Sequence, residues 1–374
     1  MINDLHRPVT KIRQLLAYLL CWLLVGATPT SGADSIEESG ARFERSPNYR
    51  DGRFVNSEPT ERMTAGGGWA AVQYYLSSGQ SRRPSGNLPV AQVDLDQFDS
   101  DSGSAVAWLG HATVLIRING VTVLTDPVFD EQTPLLLGRS RRLHPAPISR
   151  QNLPQIDAVL ISHDHYDHLE ESSVRYLAGV GVRFVVPLGV GSNLREWGVP
   201  NSQIVELDWW ESVELNNVEL VCPPARHFSG RSLFKLNQTL WSSWAILGPH
   251  YRVFYSGDTG FSREFASIGE RYGPFDLTLI QISAYGDHWP DIHMKPSEAV
   301  EAHRAVGGET LLPVHWGTFD LALHPWDEPV KLLLEAATAE SVRVIIPRPG
   351  ETVSIRDWKP GLAWWESYEE ANGD

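Results

Sequence analysis

Cysteine is nearly absent from this 374-residue chain, which has only Cys21 and Cys222. Cys21 falls in an N-terminal segment expected to be removed, and a lone Cys222 cannot form an internal disulfide, so the fold is expected to hold without a cross-link. Positive charge is also scarce: 31 Lys and Arg face 46 Asp and Glu, for a formal net charge of -15. Such a balance argues against nucleic acid, whose recognition needs a basic footprint that releases counterions. There is no fixed-period repeat, which excludes a solenoid.

Long apolar runs are missing too. The run 15–25 is shorter than the ~20 residues a spanning helix needs. Preceded by Lys11 and Arg13 and closed by Ser31, Gly32 and Ala33, it has the layout of a signal peptide covering residues 1–33. Export to the periplasm or envelope is therefore expected, the alternative being an uncleaved N-terminal anchor. Leu20 before Cys21 is not the small residue a lipid-attachment site carries. Loss of residues 1–33, which hold three basic side chains and one acidic, would move the formal charge from -15 to about -17. An acidic protein can still handle an anionic substrate where bound cations dominate the local field.

The length allows one large core or two modest ones. Residues 34–102 are rich in Gly, Ser, Pro and Arg and read as an extended arm that packs on the body. Trp69, Tyr74 and Tyr75 suggest a short amphipathic helix in it, facing either the body or a membrane surface. From residue 103 to 374 the pattern becomes a single domain of short β-branched runs, expected as strands at 105–109, 113–118, 121–125, 158–161, 183–186, 204–207, 218–222, 241–247, 252–255, 277–280, 310–313 and 343–346. Asn119-Gly120 marks a tight hairpin. Apolar spacing of three and four predicts helices at 170–177, 263–272, 297–306 and 330–339. Hairpins followed by strand and helix alternation imply two sheets face to face with helices outside.

The chemistry concentrates in Ser162-His163-Asp164-His165-Tyr166-Asp167-His168, directly after a buried-looking strand. Three histidines interleaved with acids make a solvent-facing polar loop a poor explanation. Such a loop can turn His163 and His165 toward one cation, with Asp167 and His168 reaching a second. Imidazole and carboxylate donors suit zinc, with manganese or iron as alternatives. Further donors follow strands: His227, Asp258 inside Ser256-Gly257-Asp258-Thr259-Gly260, and His315. One histidine after a strand is usually structural, whereas several placed alike point to a site. Cys222 has no catalytic partner in sequence and reads as a buried strand residue.

These residues resemble the metallo-β-lactamase superfamily motif, His-x-His-x-Asp-His followed by a later His, Asp and His. The resemblance implies an α/β four-layer αββα sandwich. It also implies that His163, His165 and His227 hold one zinc, that Asp167, His168 and His315 hold the other, and that Asp258 bridges them. More specific words, among them Trp108-Leu109-Gly110-His111-Ala112-Thr113, Leu124-Thr125-Asp126-Pro127, Glu206-Leu207-Asp208-Trp209-Trp210, Phe254-Tyr255-Ser256-Gly257-Asp258 and His315-Trp316-Gly317-Thr318-Phe319, resemble N-acylphosphatidylethanolamine-hydrolysing phospholipase D and its bacterial relatives. That likeness implies hydrolysis of a phospholipid to phosphatidic acid and an N-acylethanolamine, with Asp258 and His293 catalytic and with Tyr166 and His293 touching the substrate phosphate. It leaves open peripheral membrane contact through the arm and a homodimer. The stretch 285–292 is shorter and more acidic than the corresponding loop of the animal enzymes. Rival expectations are a lactonase or general phosphodiesterase of the same fold, and a non-catalytic envelope protein stabilised by metal.

Overall fold

Along strand Ser104–Gly110 every residue is buried, and alternate side chains enter different cores. Val106 and Trp108 join one apolar cluster, while Ala105, Ala107 and Leu109 join another. The same division separates Ala158 and Leu160 from Val159. A strand points successive side chains to opposite faces, so a sheet built this way must be covered on both sides. The computed structural model describes residues 42–76, 82–100, 104–135, 138–232, 235–356 and 363–366. The expected signal peptide, 1–33, lies outside the described residues.

Two seven-stranded sheets carry the fold. The first runs Ile204–Leu207, Arg183–Pro187, Ala158–Leu160, Val121–Thr125, Thr113–Ile118, Ser104–Gly110, Thr352–Ser354. The second runs Ser212–Leu215, Val218–Val221, Trp244–Leu247, Arg252–Tyr255, Phe275–Gln281, Gly308–Val314, Arg343–Val344. Each has a block of antiparallel strands followed by parallel ones: Val121–Thr125 begins the parallel pairing in the first sheet, and Arg252–Tyr255 does so in the second. The hairpin at Asn119-Gly120 forms as expected, both residues having positive φ and Ile118 pairing with Val121.

Helices Glu171–Gly179 and Val190–Glu196 cover the outer face of the first sheet through Val174, Leu177, Val190 and Leu194. Helices Glu264–Tyr272, Pro296–Ala305 and Glu328–Ala339 pack on the second through Phe265, Ile268, Val300, Val330 and Leu333. Residues of both sheets, such as Val114 and Ile116 from the first and Leu220 and Trp244 from the second, fill the shared middle. The result is the four-layer αββα sandwich.

Several boundaries differ from expectation. The strand predicted at 241–247 begins only at Trp244: Ser243 N–H still donates to Pro223 O (3.1 Å) in register with the neighbouring strand, but Pro223 has no N–H to return, and Ser242 N–H turns to Ser162 O (2.9 Å). The strand predicted at 343–346 stops at Val344. Edge strands Ser212–Leu215 and Thr352–Ser354 and the short helices Leu95–Asp99 and Val190–Glu196 were not anticipated, since each is too short to show a period. The arm does contain a helix, Gly67–Leu76, in which Trp69 is 64% exposed while Gly67 and Ala70 are buried.

The described arm meets the body through Phe54, which is fully buried and packs edge-on against Phe43 (5.3 Å) and Tyr49 (5.0 Å). Phe54 N–H donates to Asn237 O. From Phe43 onward the chain forms one compact unit. Truncating a fully buried aromatic removes burial and leaves a cavity, so Phe54→Ala is expected to lower unfolding free energy by about 3–5 kcal/mol in a denaturant titration. A loss near zero would show that the arm does not contribute to the core.

A second prediction concerns pH. Burial, followed by the charge of Arg142, pushes His144 down from 6.5 to about 3, and the ring sits neutral between Pro145 O (2.7 Å) and Thr318 Oγ1 (3.1 Å). Its folded value lies below its unfolded one, so its contribution is complete above pH 6.5 and is lost as pH falls toward 3. The loss is on the order of a few kcal/mol. Comparing thermal stability of the wild type and His144→Gln between pH 7 and about 4 should show a shallower decline in the variant. Parallel curves would reject the assignment.

Candidate metal centre

Strand Ala158–Leu160 delivers the chain to Ser162, whose N–H donates to Asp126 Oδ1 (2.7 Å) and whose hydroxyl donates to Asp126 Oδ2. The loop then tightens, with Leu169 N–H donating to His165 O (2.8 Å). This turn places His163, His165, Asp167 and His168 along one wall. His227 arrives from the loop after Val218–Val221, Asp258 from the loop after Arg252–Tyr255, and His315 from the end of Gly308–Val314. The glycines beside Asp258 are needed: at Gly257, φ +57°, a Cβ would lie 2.7 Å from Ser242 O, and at Gly260 it would lie 2.0 Å from Asp291 O.

All seven predicted ligands are brought together. His163, His165 and His227 form one set whose donor atoms lie within 4.8 Å of one another; Asp167, His168 and His315 belong to another, which also includes His111. Asp258 Oδ2 lies between them, 3.1 Å from His168 Nε2 and from His315 Nε2, and 4.0 Å from His163 Nε2 and from His227 Nε2.

The residues suit a cation on physical grounds. His163 Nδ1 bonds Ser162 Oγ (2.9 Å), His168 Nδ1 bonds Asp126 Oδ2 (2.7 Å) and His227 Nδ1 bonds Ile292 O (2.9 Å). With those protons committed, the Nε2 lone pairs face inward, which is how metal-ligating histidines are held. His165 Nδ1 lies 2.8 Å from His163 Nε2 and 3.4 Å from His227 Nε2. The second of these distances is near the edge of a tetrahedron around zinc, about 3.3 Å for bonds of ~2.0–2.1 Å, and the first is shorter, so the three nitrogens are close enough to share one cation. His168 Nε2, His315 Nε2 and Asp258 Oδ1 are buried without a hydrogen-bond partner, although the two nitrogens stand near Asp258 Oδ2. Buried polar atoms left so are costly unless something else binds them.

The electrostatics agree. Burial pushes His163 and His227 well below the usual histidine range. In His168 burial works downward, but the charges of Asp258 and Asp167 and the bond to Asp126 outweigh it and raise the ring well above 6.5. Burial alone would raise Asp258, yet His168 and His315 hold it well below the carboxylate range. Two ionised carboxylates among imidazoles form a site that favours positive charge.

His293 lies at the edge of the cluster, Nδ1 4.0 Å from Asp258 Oδ2 and 3.4 Å from Gln281 Oε1, its ring 5.2 Å from that of His227. Burial lowers it to about 4, so the ring is neutral at pH 7. The Tyr166 hydroxyl is engaged by the backbone, donating to Arg231 O (2.9 Å), and the Arg231 guanidinium lies 4.0 Å over its ring.

The beta-lactamase superfamily domain matches residues 121–316 of the sequence. The chain is 47% identical over 357 residues to an uncharacterised protein of Mycobacterium tuberculosis, covering 92% of this chain and 94% of that one. It is 38% identical over 267 residues to N-acyl-phosphatidylethanolamine-hydrolyzing phospholipase D 1 of Caenorhabditis elegans, covering 67% of this chain and 75% of that one. The chain belongs to the metallo-β-lactamase superfamily. It is a metal-dependent hydrolase of that fold. Among solved structures, a metallo hydrolase from the archaeon Ignicoccus hospitalis shares the fold with a TM-score of 0.54 at 22% identity, covering 68% of this chain and 99% of that one.

Within this metallo-β-lactamase centre, the sequence reading passed over three residues. Asp126 bonds Ser162, His168 and Tyr255 together. Asn56, in the arm, donates to His227 O (2.8 Å), accepts from His227 N–H (3.1 Å) and also accepts from Trp241 Nε1 (2.9 Å). His111 reaches Asp167. Asp126 and His111 stood inside words noted in the sequence; nothing local marks Asn56. The stretch 285–292 is acidic, but its charges are matched, Asp291 with Arg226 (2.8 Å) and Asp287 with Lys295 (3.1 Å). The arm also bonds this stretch, Glu61 N–H to Asp291 Oδ2 (2.7 Å) and Thr64 N–H to His288 O (2.8 Å).

Loss of the carboxylate behind His168 should loosen the metal. Asp126→Asn is expected to reduce retention of bound metal by roughly 10–100-fold, read by elemental analysis after dialysis against a graded chelator. Unchanged retention would show that Asp126 only braces the fold.

Proposed function

We propose that the protein is a dinuclear zinc phosphodiesterase of the phospholipase D type, acting on N-acylphosphatidylethanolamine. The observation that carries this reading is the position of Asp258 Oδ2 between two histidine-rich donor sets, each suited to one cation. The identity to the nematode phospholipase D supports the substrate class. His163, His165 and His227 would hold one zinc, Asp167, His168 and His315 the other, with Asp258 shared. Zinc fits a donor set of imidazoles and carboxylates, and manganese or iron would find the same ligands usable. Bound there, the cations would supply water acidic enough to ionise near neutral pH and would draw charge from phosphoryl oxygens.

The reaction is a hydrolysis. Oxygen from water joins phosphorus, the ester bond to the N-acylethanolamine oxygen breaks, and that oxygen takes up a proton. The products are phosphatidic acid and an N-acylethanolamine. His293, neutral and carrying one ring proton, is placed to donate it as a hydrogen bond to a phosphoryl oxygen as charge develops. Tyr166 would contact the phosphate only by releasing Arg231 O, and so serves first to shape the loop. The proposal extends to export after removal of residues 1–33 and to contact with a lipid surface near the exposed Trp69 and Met63.

The test is product identification. Purified protein stripped with chelator and reloaded with zinc is incubated with N-acylphosphatidylethanolamine, other phospholipids and a panel of lactones, and the products are read by mass spectrometry. Phosphatidic acid with N-acylethanolamine is expected, formed only after reloading. His163→Ala or Asp258→Asn should lower turnover by roughly two orders of magnitude or more. Lactone opening without lipid cleavage would overturn the substrate assignment, and hydrolysis undiminished by chelation would overturn the metal assignment.

A further inference from the structure

His111 has no part in the seven-ligand assignment, yet the fold holds it in a strained conformation. Its φ is +53°, in the left-handed region that residues with a Cβ seldom occupy. Three hydrogen bonds fix it there. The His111 N–H donates to Thr318 Oγ1 (2.6 Å), and its carbonyl accepts from His315 N–H (2.8 Å) and from Trp108 Nε1 (2.9 Å). Gly110 before it, φ +105°, is pressed so close that a Cβ would lie 2.7 Å from Arg142 Nη2. The ring is 1% exposed, its Nε2 lies 3.0 Å from Asp167 Oδ2, and its centroid is 4.0 Å from that of His315.

Two roles fit such a ring: ligand to the cation beside Asp167, or hydrogen-bond donor to Asp167 itself. A ligating Nε2 would put the ring proton on Nδ1, and His111 Nδ1 is buried without a partner. A buried N–H with nothing to bond is unfavourable. The rings of His163, His168 and His227 each give the second nitrogen a partner. With the proton on Nε2 instead, His111 donates to Asp167 and leaves only a lone pair unmatched. His315 Nδ1 is likewise unpartnered, but its Nε2 stands between two candidate ligands, 3.1 Å from Asp258 Oδ2 and 3.6 Å from Asp167 Oδ2, where His111 Nε2 meets Asp167 alone.

We propose that His111 is a positioning residue: it donates Nε2–H to the Asp167 carboxylate and fixes the His315 turn through its own carbonyl, and so sets how firmly the second cation is retained without binding it. This rests on the two-cation reading above. One side chain thus orients one ligand, and its backbone orients another from the opposite sheet.

The experiment uses the full chain and zinc or cobalt alone as probe. Wild type, His111→Leu and His111→Gln are dialysed against a chelator series, and metal per chain is measured together with circular dichroism. The wild type should hold two ions. His111→Leu should keep the first and lose the second at roughly 10–100-fold lower chelator strength, and His111→Gln, which restores an N–H donor, should recover part of that loss. At cobalt saturation the visible spectrum of His111→Gln should match the wild type, since no ligand has changed. A leucine variant that retains both ions as firmly as the wild type overturns the proposal, as does an altered cobalt spectrum in the glutamine variant, which would make His111 a ligand. A wild type holding fewer than two ions would instead overturn the two-cation reading, so the two failures are distinguishable.

Discussion

The centre depends on one fully buried carboxylate, that of Asp126. It follows strand Val121–Thr125 of the first sheet and accepts from Ser162 at the start of the histidine loop, from His168 Nδ1 and from Tyr255 in the second sheet. Burial, then the charge of Asp126, keeps the Tyr255 hydroxyl well above its usual range, so it remains a donor. Four donors converging on two oxygens leave Asp126 little freedom. Through it the two sheets and the loop share a single register, and the Nε2 of His168 acquires a fixed direction.

The sandwich supplies the rest by repetition. In both sheets an antiparallel block is followed by parallel strands, and the donors leave at or after strand ends near where that change occurs: Asp126 and His163 on one side, Asp258 on the other. Loops at those ends are free of ladder bonds and can present side chains inward. Where a strand would have continued, the Ser242 backbone bonds Ser162 at the start of the histidine loop instead. The shortened strand is therefore part of how the site is held. The arm has a similar part, since Asn56 grips the backbone of His227 on both its donor and acceptor sides.

Much of this was legible in the sequence. The seven ligand candidates were visible because each follows a β-branched run, and the structure gathers all of them into adjoining donor sets. The sandwich followed from hairpins giving way to strand and helix alternation. Periodicity failed where elements are short: Ser212–Leu215 and Val190–Glu196 hold too few residues to repeat. It also failed where the decisive partner is remote. Asn56 meets His227 across 171 positions, and no local pattern announces such a bond. His111 lay in plain view within a recognisable word, but its meaning comes from a left-handed turn and from Asp167, neither of which spacing can disclose. For the arm helix the sequence left open whether Trp69 faces the body or a membrane surface, and the structure leaves that side chain exposed.

The edge strand Thr352–Ser354 pairs antiparallel with Ser104–Gly110, the strand that leads into His111. The sheet opened by the earliest strand of the sandwich is thus closed by a segment that follows every candidate ligand along the chain. Its outer edge can form only after all of those side chains have been made, so the first sheet is sealed by a strand that contributes no donor of its own.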